Sequence, residues 1–262
     1  MTPIKTNPEI TTPPTQSVRS VFIGVKPLLL LLLCLAPPLA LAQIHSPQIS
    51  KKEKPAREDV EWLWQYTPDK DNPDGRENDL VQDLRFRPFL DQFLTTPQTF
   101  WGQPISGKYR SLADTALEHL TVPDKVLADE NRYVAITGCV VHFCPARGLL
   151  WLDLNGAHHL VVFAALDWIA QGAPATDPAA QYTLWLFPDD PLTIAAPGSA
   201  APAQRVPPAL IHSIARWTAQ PLAGSGIVQN ITHAILVDPD GTPHEVAPAA
   251  LGVTPPSPPK SP

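Results

Sequence analysis

Cys139, His142 and Cys144 fall together in the stretch Gly138-Cys139-Val140-Val141-His142-Phe143-Cys144-Pro145, and no other segment of the chain gathers so much reactive chemistry. Two thiols and an imidazole this close allow several readings. As soft ligands they could hold a metal, but the chain has no second Cys/His cluster to complete such a site. A thiol–disulfide catalyst is disfavoured because Cys-x-x-x-x-Cys lacks the thioredoxin-type spacing. A disulfide would close a small ring around His142. The plain alternative is a stapled turn whose His142 is merely solvated.

Cysteine usage and the N-terminal residues bear on that choice. Arg19 and Lys26 precede the apolar run Leu28 to Ala36, Pro37-Pro38 interrupts it, and Ala40-Leu41-Ala42 stands before Gln43. A positive segment, a short apolar segment and Ala-x-Ala are the order of a secretory signal peptide. The run is too short to span a bilayer, which takes about 20 apolar residues. Cleavage after Ala42 is expected; an uncleaved anchor and a lipid-modified Cys34 are the alternatives, the latter disfavoured by bulky Leu33. Removal of residues 1–42 leaves Cys139 and Cys144 as a pair in an exported chain, which reads as a disulfide. So small a loop gains about 2 kcal/mol by chain entropy, so the bridge shapes the loop more than it holds the fold.

Charge narrows the partners. The formal charge is −6 over 262 residues, and loss of Lys5, Arg19, Lys26 and Glu9 makes the balance more negative. That argues against nucleic acid or anionic lipid and would favour encounter with a cationic protein, while solubility is the plain alternative. With the short apolar run removed, no stable membrane insertion of the mature chain is expected. A homodimer stays open.

The elements that must position the Cys–His–Cys stretch follow from periodicity. Residues 43–57 are polar and read as a flexible linker. Glu58 to Tyr66 carries Val60, Trp62, Leu63 and Trp64 and predicts a short amphipathic helix. Leu80, Leu84, Phe86, Phe89, Leu90, Phe93 and Leu94 have helical spacing, with a break or restart at Pro88. Ser111 and Asp114 resemble a capping box for a helix through Leu120. The period then changes. Tyr133–Ile136, Leu149–Leu152, His159–Phe163, Thr183–Phe187 and Ile231–Val237 read as strands, with turns at Asn155-Gly156 and Asp240-Gly241. Pro207-Pro208 opens a helix to Thr218. The expected fold class is α+β: an antiparallel meander of about five strands, helices packed before it and one inserted late. The expected division is 1–42 extension and signal peptide, 43–57 linker, 58–246 folded domain, 247–262 Pro-rich disordered tail.

Against that frame the loop resembles the inhibitor of vertebrate lysozyme family, Ivy, whose mark is a strand, then Cys-Lys-Pro-His-Asp-Cys, then a second strand. Here Arg132–Gly138 leads into Cys-Val-Val-His-Phe-Cys, and Leu149–Leu152 follows. Phe89-Leu90-Asp91-Gln92-Phe93 with Trp101, and Thr183-Leu184-Trp185-Leu186 followed by Asp190-Pro191-Leu192, are softer likenesses, and the resemblance covers about residues 78–195. It implies a periplasmic or secreted proteinaceous inhibitor without enzymatic activity or cofactor. The loop Cys139, Val140, Val141, His142, Phe143 and Cys144 would enter the cleft of a lysozyme or related muralytic glycosidase. His142 would sit between the two catalytic carboxylates, one protonated and one ionised. Val140, Val141 and Phe143 stand where the family has Lys, Pro and Asp, which suits a more apolar cleft. The alternative is a non-inhibitory exported domain that binds a protein partner or cell-wall glycan.

The remaining candidates point to structure. Consecutive strand residues face opposite ways, so His158-His159 make a poor chelate. His212 and Ser213 are helix neighbours that do not face each other. Asp189-Asp190 precedes a proline and reads as a turn, and Asn230-Ile231-Thr232 fits a glycosylation sequon. Trp62, Trp64, Trp101, Trp151, Trp168, Trp185 and Trp217 could line a glycan site, although core packing is the commoner fate of tryptophan. No nucleophile elbow, paired-carboxylate motif or phosphate-binding glycine loop is present, so an enzyme is the least supported class.

Overall fold

The computed structural model of the chain describes residues 60–101, 107–155, 159–193 and 205–254; the export signal and linker expected over 1–57 lie outside them. The chain begins with a 3-10 turn, Glu61–Tyr66, then α1 (Glu77–Gln82), α2 (Phe86–Phe93) and α3 (Leu112–His119). The strands are β1 (Val122–Asp129), β2 (Tyr133–Val140), β3 (Phe143–Asp153), β4 (Leu160–Trp168) and β5 (Gln181–Pro188). Helix α4 (Pro208–Thr218) precedes β6 (Asn230–Val237) and β7 (Pro243–Val246).

The seven strands form one sheet in chain order, β1 to β7. This confirms α+β and corrects the five-stranded antiparallel meander in two ways. First, β1 was not anticipated. It holds Pro123, Asp124 and Lys125 and is exposed or half-buried along most of its length, so it lacks the apolar alternation that marks a strand. It is an edge strand, where proline and charge are tolerated. Its pairing with β2 is fixed by consecutive left-handed residues Glu130 (φ 56°) and Asn131 (φ 50°) in the connecting turn. Second, β5 and β6 are parallel, so the sheet is mixed. The late helix α4 lies between these strands in sequence; a crossover through a helix is what parallel neighbours require. The turn expected at Asp240-Gly241 does return the chain, as β7, with Gly241 at φ 91°.

Helix starts follow local rules. The Ser111 side chain accepts the Asp114 N–H, capping α3. Pro208 occupies the first turn of α4, where its missing N–H costs nothing. The break in the 79–94 pattern falls at Asp83–Arg85, ahead of Pro88, which sits inside the first turn of α2.

Both faces of the sheet are covered. Val134, Ile136, Leu150, Leu152, Val161, Phe163 and Ala165 face α1–α3 and the first 3-10 turn. Ala135, Leu149, Trp151, Val162, Ala164 and Leu166 face α4 through Leu210, Ile214 and Trp217. Strands buried on both faces read as continuous apolar runs, which is why β2 to β4 were visible. Arg216 of α4 forms a two-pronged ion pair with Asp129 at 3.0 and 2.6 Å, tying the helix to the edge strand. Order continues past 246. Pro248–Leu251 forms a 3-10 turn, and Leu251 and Val253 are buried beside α4, so the packed body extends into the expected tail. Among the described residues, no helix is long and apolar enough to cross a membrane.

Candidate functional site

Cys139 and Cys144 are joined by a disulfide with Cα atoms 4.8 Å apart, so neither is a free thiolate ligand or nucleophile. The stretch 138–145 is not the open loop its sequence suggested. Strand β2 runs through Val140 and β3 begins at Phe143, with Val140 paired to Phe143 and Val141-His142 making the turn. Val140 and Phe143 are good strand formers and extend the ladder to the tip. Cys139 stands opposite Arg147, so Cys144, Pro145 and Ala146 bulge out of register. The bridge spans that bulge.

The tip is bare. His142 is exposed, has left-handed backbone (φ 63°) and makes no hydrogen bond or ion pair among the described residues. Val141 is 45% exposed and Phe143 39%, with the Phe143 ring 6.1 Å from that of Trp168. Val122, paired to Cys139 from β1, is also 39% exposed. Of the exposed large hydrophobic side chains among the described residues, only Leu84 and Tyr109 lie elsewhere.

The base of this hairpin is clamped from both sides. Gly138 and Gly148 are paired across β2 and β3. A Cβ on Gly148 would come within 2.8 Å of the His119 Cβ, and one on Gly138 within 3.0 Å of the Leu120 Cα. The end of α3 therefore lies directly on two residues that must lack side chains. His119 is buried there, its Nδ1 donating to the Thr115 carbonyl at 2.9 Å and its ring 5.9 Å from Phe163. Burial pushes the imidazole pKa below its ordinary value and favours the neutral ring.

On the opposite face, Arg147 lies under the end of α4. Its Nη1 donates to the Gln220 carbonyl at 3.1 Å, and its guanidinium carbon is 5.5 Å from the centre of the Trp217 ring. Gln229 donates to the Pro145 carbonyl at 2.7 Å, so the segment between α4 and β6 straps the bulge in place. A cleft of about 360 Å³ opens between β1, the disulfide and the end of α4, with Arg147 in its wall.

The other sequence candidates lie outside this turn. Trp151 and Trp217 are buried, and Trp62, Trp64, Trp101, Trp168 and Trp185 are half-buried. His212 is exposed, and His159 is half-buried at the start of β4; His158 lies outside the described residues. Asp189 accepts the Val161 N–H at 2.9 Å beyond the end of β5, and burial raises its pKa to about 6. Asn230 of the sequon opens β6, half-buried. Among the described residues no group of three His, Cys, Asp or Glu is placed to hold a metal. Sequence reasoning passed over Arg147, which the fold buries beside the bridge. Its signal was present: it shares period-two parity with Leu149 and Trp151, which places a charge on a core face.

No protein-family model, curated protein or solved structure matches this chain.

Proposed function

We propose that the protein is a binding protein whose 139–144 hairpin enters a cleft on a partner enzyme, and that the partner is a lysozyme or related muralytic glycosidase. The observation that carries this reading is the concentration of exposed apolar side chains, Val122, Val141 and Phe143, around an unpartnered His142 on a covalently closed turn. Exposed apolar clusters mark interaction surfaces. A turn held by a disulfide and a clamped base loses little conformational freedom on binding, so more of the contact energy appears as affinity. The target class comes from the resemblance of the Cys-x-x-His-x-Cys motif. An imidazole donates to a protonated–ionised carboxyl pair through one nitrogen and accepts or charge-pairs through the other. An exported protein is the natural setting for the bridge.

The test is a cell-wall turbidity assay with lysozymes of several classes, with and without the protein. Inhibition is expected. Loss of the imidazole would leave a buried carboxylate unpaired, at a cost on the order of 2–5 kcal/mol. His142→Ala should then weaken binding roughly thirtyfold or more. Equal inhibition by His142→Ala removes the hairpin as the inhibitory element. Failure of the wild type against every class leaves a non-inhibitory domain that binds a protein partner or cell-wall glycan.

A further inference from the structure

Three connections of the chain meet at the end of the sheet that carries the hairpin tip. Strands β2 to β5 alternate in direction, so the Val141-His142 turn and the β4–β5 connection, residues 169–180, leave the sheet at the same end. Because β6 is parallel to β5, the α4–β6 connection, residues 219–229, enters there too. The three are fastened side by side. The Phe143 ring lies 6.1 Å from that of Trp168, whose indole N–H donates to the Ala173 carbonyl at 2.9 Å. Gln229 holds the Pro145 carbonyl at 2.7 Å.

The third connection projects a turn of its own. The Leu222 N–H donates to the Ile227 carbonyl at 2.8 Å and closes it. Leu222 is buried and anchors the turn, while Ala223, Gly224, Ser225 and Gly226 are exposed. Gly224 (φ 79°) and Gly226 (φ 69°) are left-handed, and a Cβ on either would meet nothing within 4 Å. The cleft of about 360 Å³ separates this turn from the hairpin, with the disulfide and Val122 on one side and Pro221, Leu222 and Ala223 on the other.

What these connections lack is charge. In a chain that is 17% charged, Asp177 is the only Asp, Glu, Lys or Arg in 141–146, 169–180 and 219–229. Its carboxylate is turned back onto the Ala179 N–H at 2.7 Å. The turns at the opposite end of the same sheet carry Glu130, Arg132, Asp189, Asp190, Asp238 and Asp240. Exposed loops are where charge ordinarily sits, and solubility asks the same of both ends. Contact surfaces are the exception: their centres are depleted in charge, because an ion stripped of water without a partner is costly.

We infer that this whole charge-free end is the contact surface for the glycosidase of the proposed function, with the hairpin in the catalytic cleft and the 222–227 turn and 169–180 segment on its rim. The inference rests on that reading and widens it from one turn to three connections. A cleft built to hold an uncharged saccharide chain has few ions in its walls beyond the two catalytic carboxylates, so a neutral surface meets it without stranding a charge.

The test is calorimetric binding of the oxidised protein to lysozymes of several classes at physiological salt. Ala223 and Gln171, one on each rim connection, are each replaced by Glu and by Lys; Thr95, on the segment after α2, receives the same pair as a control. All three positions are exposed, so the variants should unfold thermally with the wild type. Both signs of charge at Ala223 and at Gln171 should weaken binding roughly tenfold or more. Both Thr95 variants should bind as the wild type does, since screening removes the long-range part. Wild-type affinity in both variants at Ala223 or at Gln171 would overturn the inference. So would opposite effects of Glu and Lys at one position, which mark a distant field rather than a buried contact. His142→Ala separates the two readings: if it weakens binding while the rim variants do not, the hairpin stands and the wider surface falls. If the wild type binds no lysozyme of any class, both fall together.

Discussion

The two ends of one hairpin treat an unsatisfied polar side chain in opposite ways. At the tip, His142 has no protein partner and is exposed to solvent, where lacking one costs nothing. At the base, Arg147 lacks partners for two of its nitrogens and is buried, where the same lack is expensive. A bare exposed imidazole is compatible with any function or none; a buried guanidinium with two unbonded nitrogens carries a cost that the surrounding fold must offset. The tip gains interest from its company, since Val141 and Phe143 are exposed beside it. The base gains interest from its isolation.

Substitutions can break this contrast, and the base should respond first. Trp217 is 2% exposed and closes the cleft over Arg147. Trp217→Ala should cost about 3–5 kcal/mol in urea denaturation, the usual range for deleting a buried aromatic side chain. A loss no larger than that of a surface substitution would mean that α4 does not seal the base. Gly148→Ala should cost about 1–3 kcal/mol, because the added methyl meets the His119 Cβ and carbonyl with no room to yield. If thermal unfolding shows no change, α3 is not a clamp and the hairpin is hinged at its root. His142→Ala should shift stability by about 0.5 kcal/mol or less, as expected of an exposed side chain with no contacts. A loss there as large as at Gly148 would erase the distinction between tip and base.

How much of this could be read in advance follows the same division. The disulfide was legible because Cys139 and Cys144 are the pair left once the expected signal peptide, with Cys34, is removed. Strands β2 to β4 were legible because both faces are buried and the residues are apolar in unbroken runs. Strand β1 was hidden by its own edge chemistry, Pro123-Asp124-Lys125, and the parallel β5–β6 pair by the absence of any local mark of strand direction. The short turn was hidden because the bridge drew 138–145 together as a loop, whereas Val140 and Phe143 pair. Arg147 was passed over because a single arginine in a strand gives no motif. Its parity with Leu149 and Trp151 hints at a core face, but its burial under Trp217 and Gln220, on a distant helix and its exit, shows only in the fold.

The order of the sheet also sets an order of assembly. Among the described residues, every neighbouring pair of strands but one is joined by a connection without a helix; β5 and β6 must wait for the chain between Pro188 and Asn230, with α4 inside it, to return. Pairings of low sequence separation close quickly, and those that span long segments close slowly. Cys139 and Cys144 meet on a tight turn, so oxidation can proceed on a nascent chain that has only reached β3. The cleft needs Trp217 and Gln220, which arrive with the crossover. A chain stalled before that step would carry a finished disulfide hairpin and an Arg147 still open to water. The hairpin tip matures early, and the cleft beneath it is among the last parts of the molecule to exist.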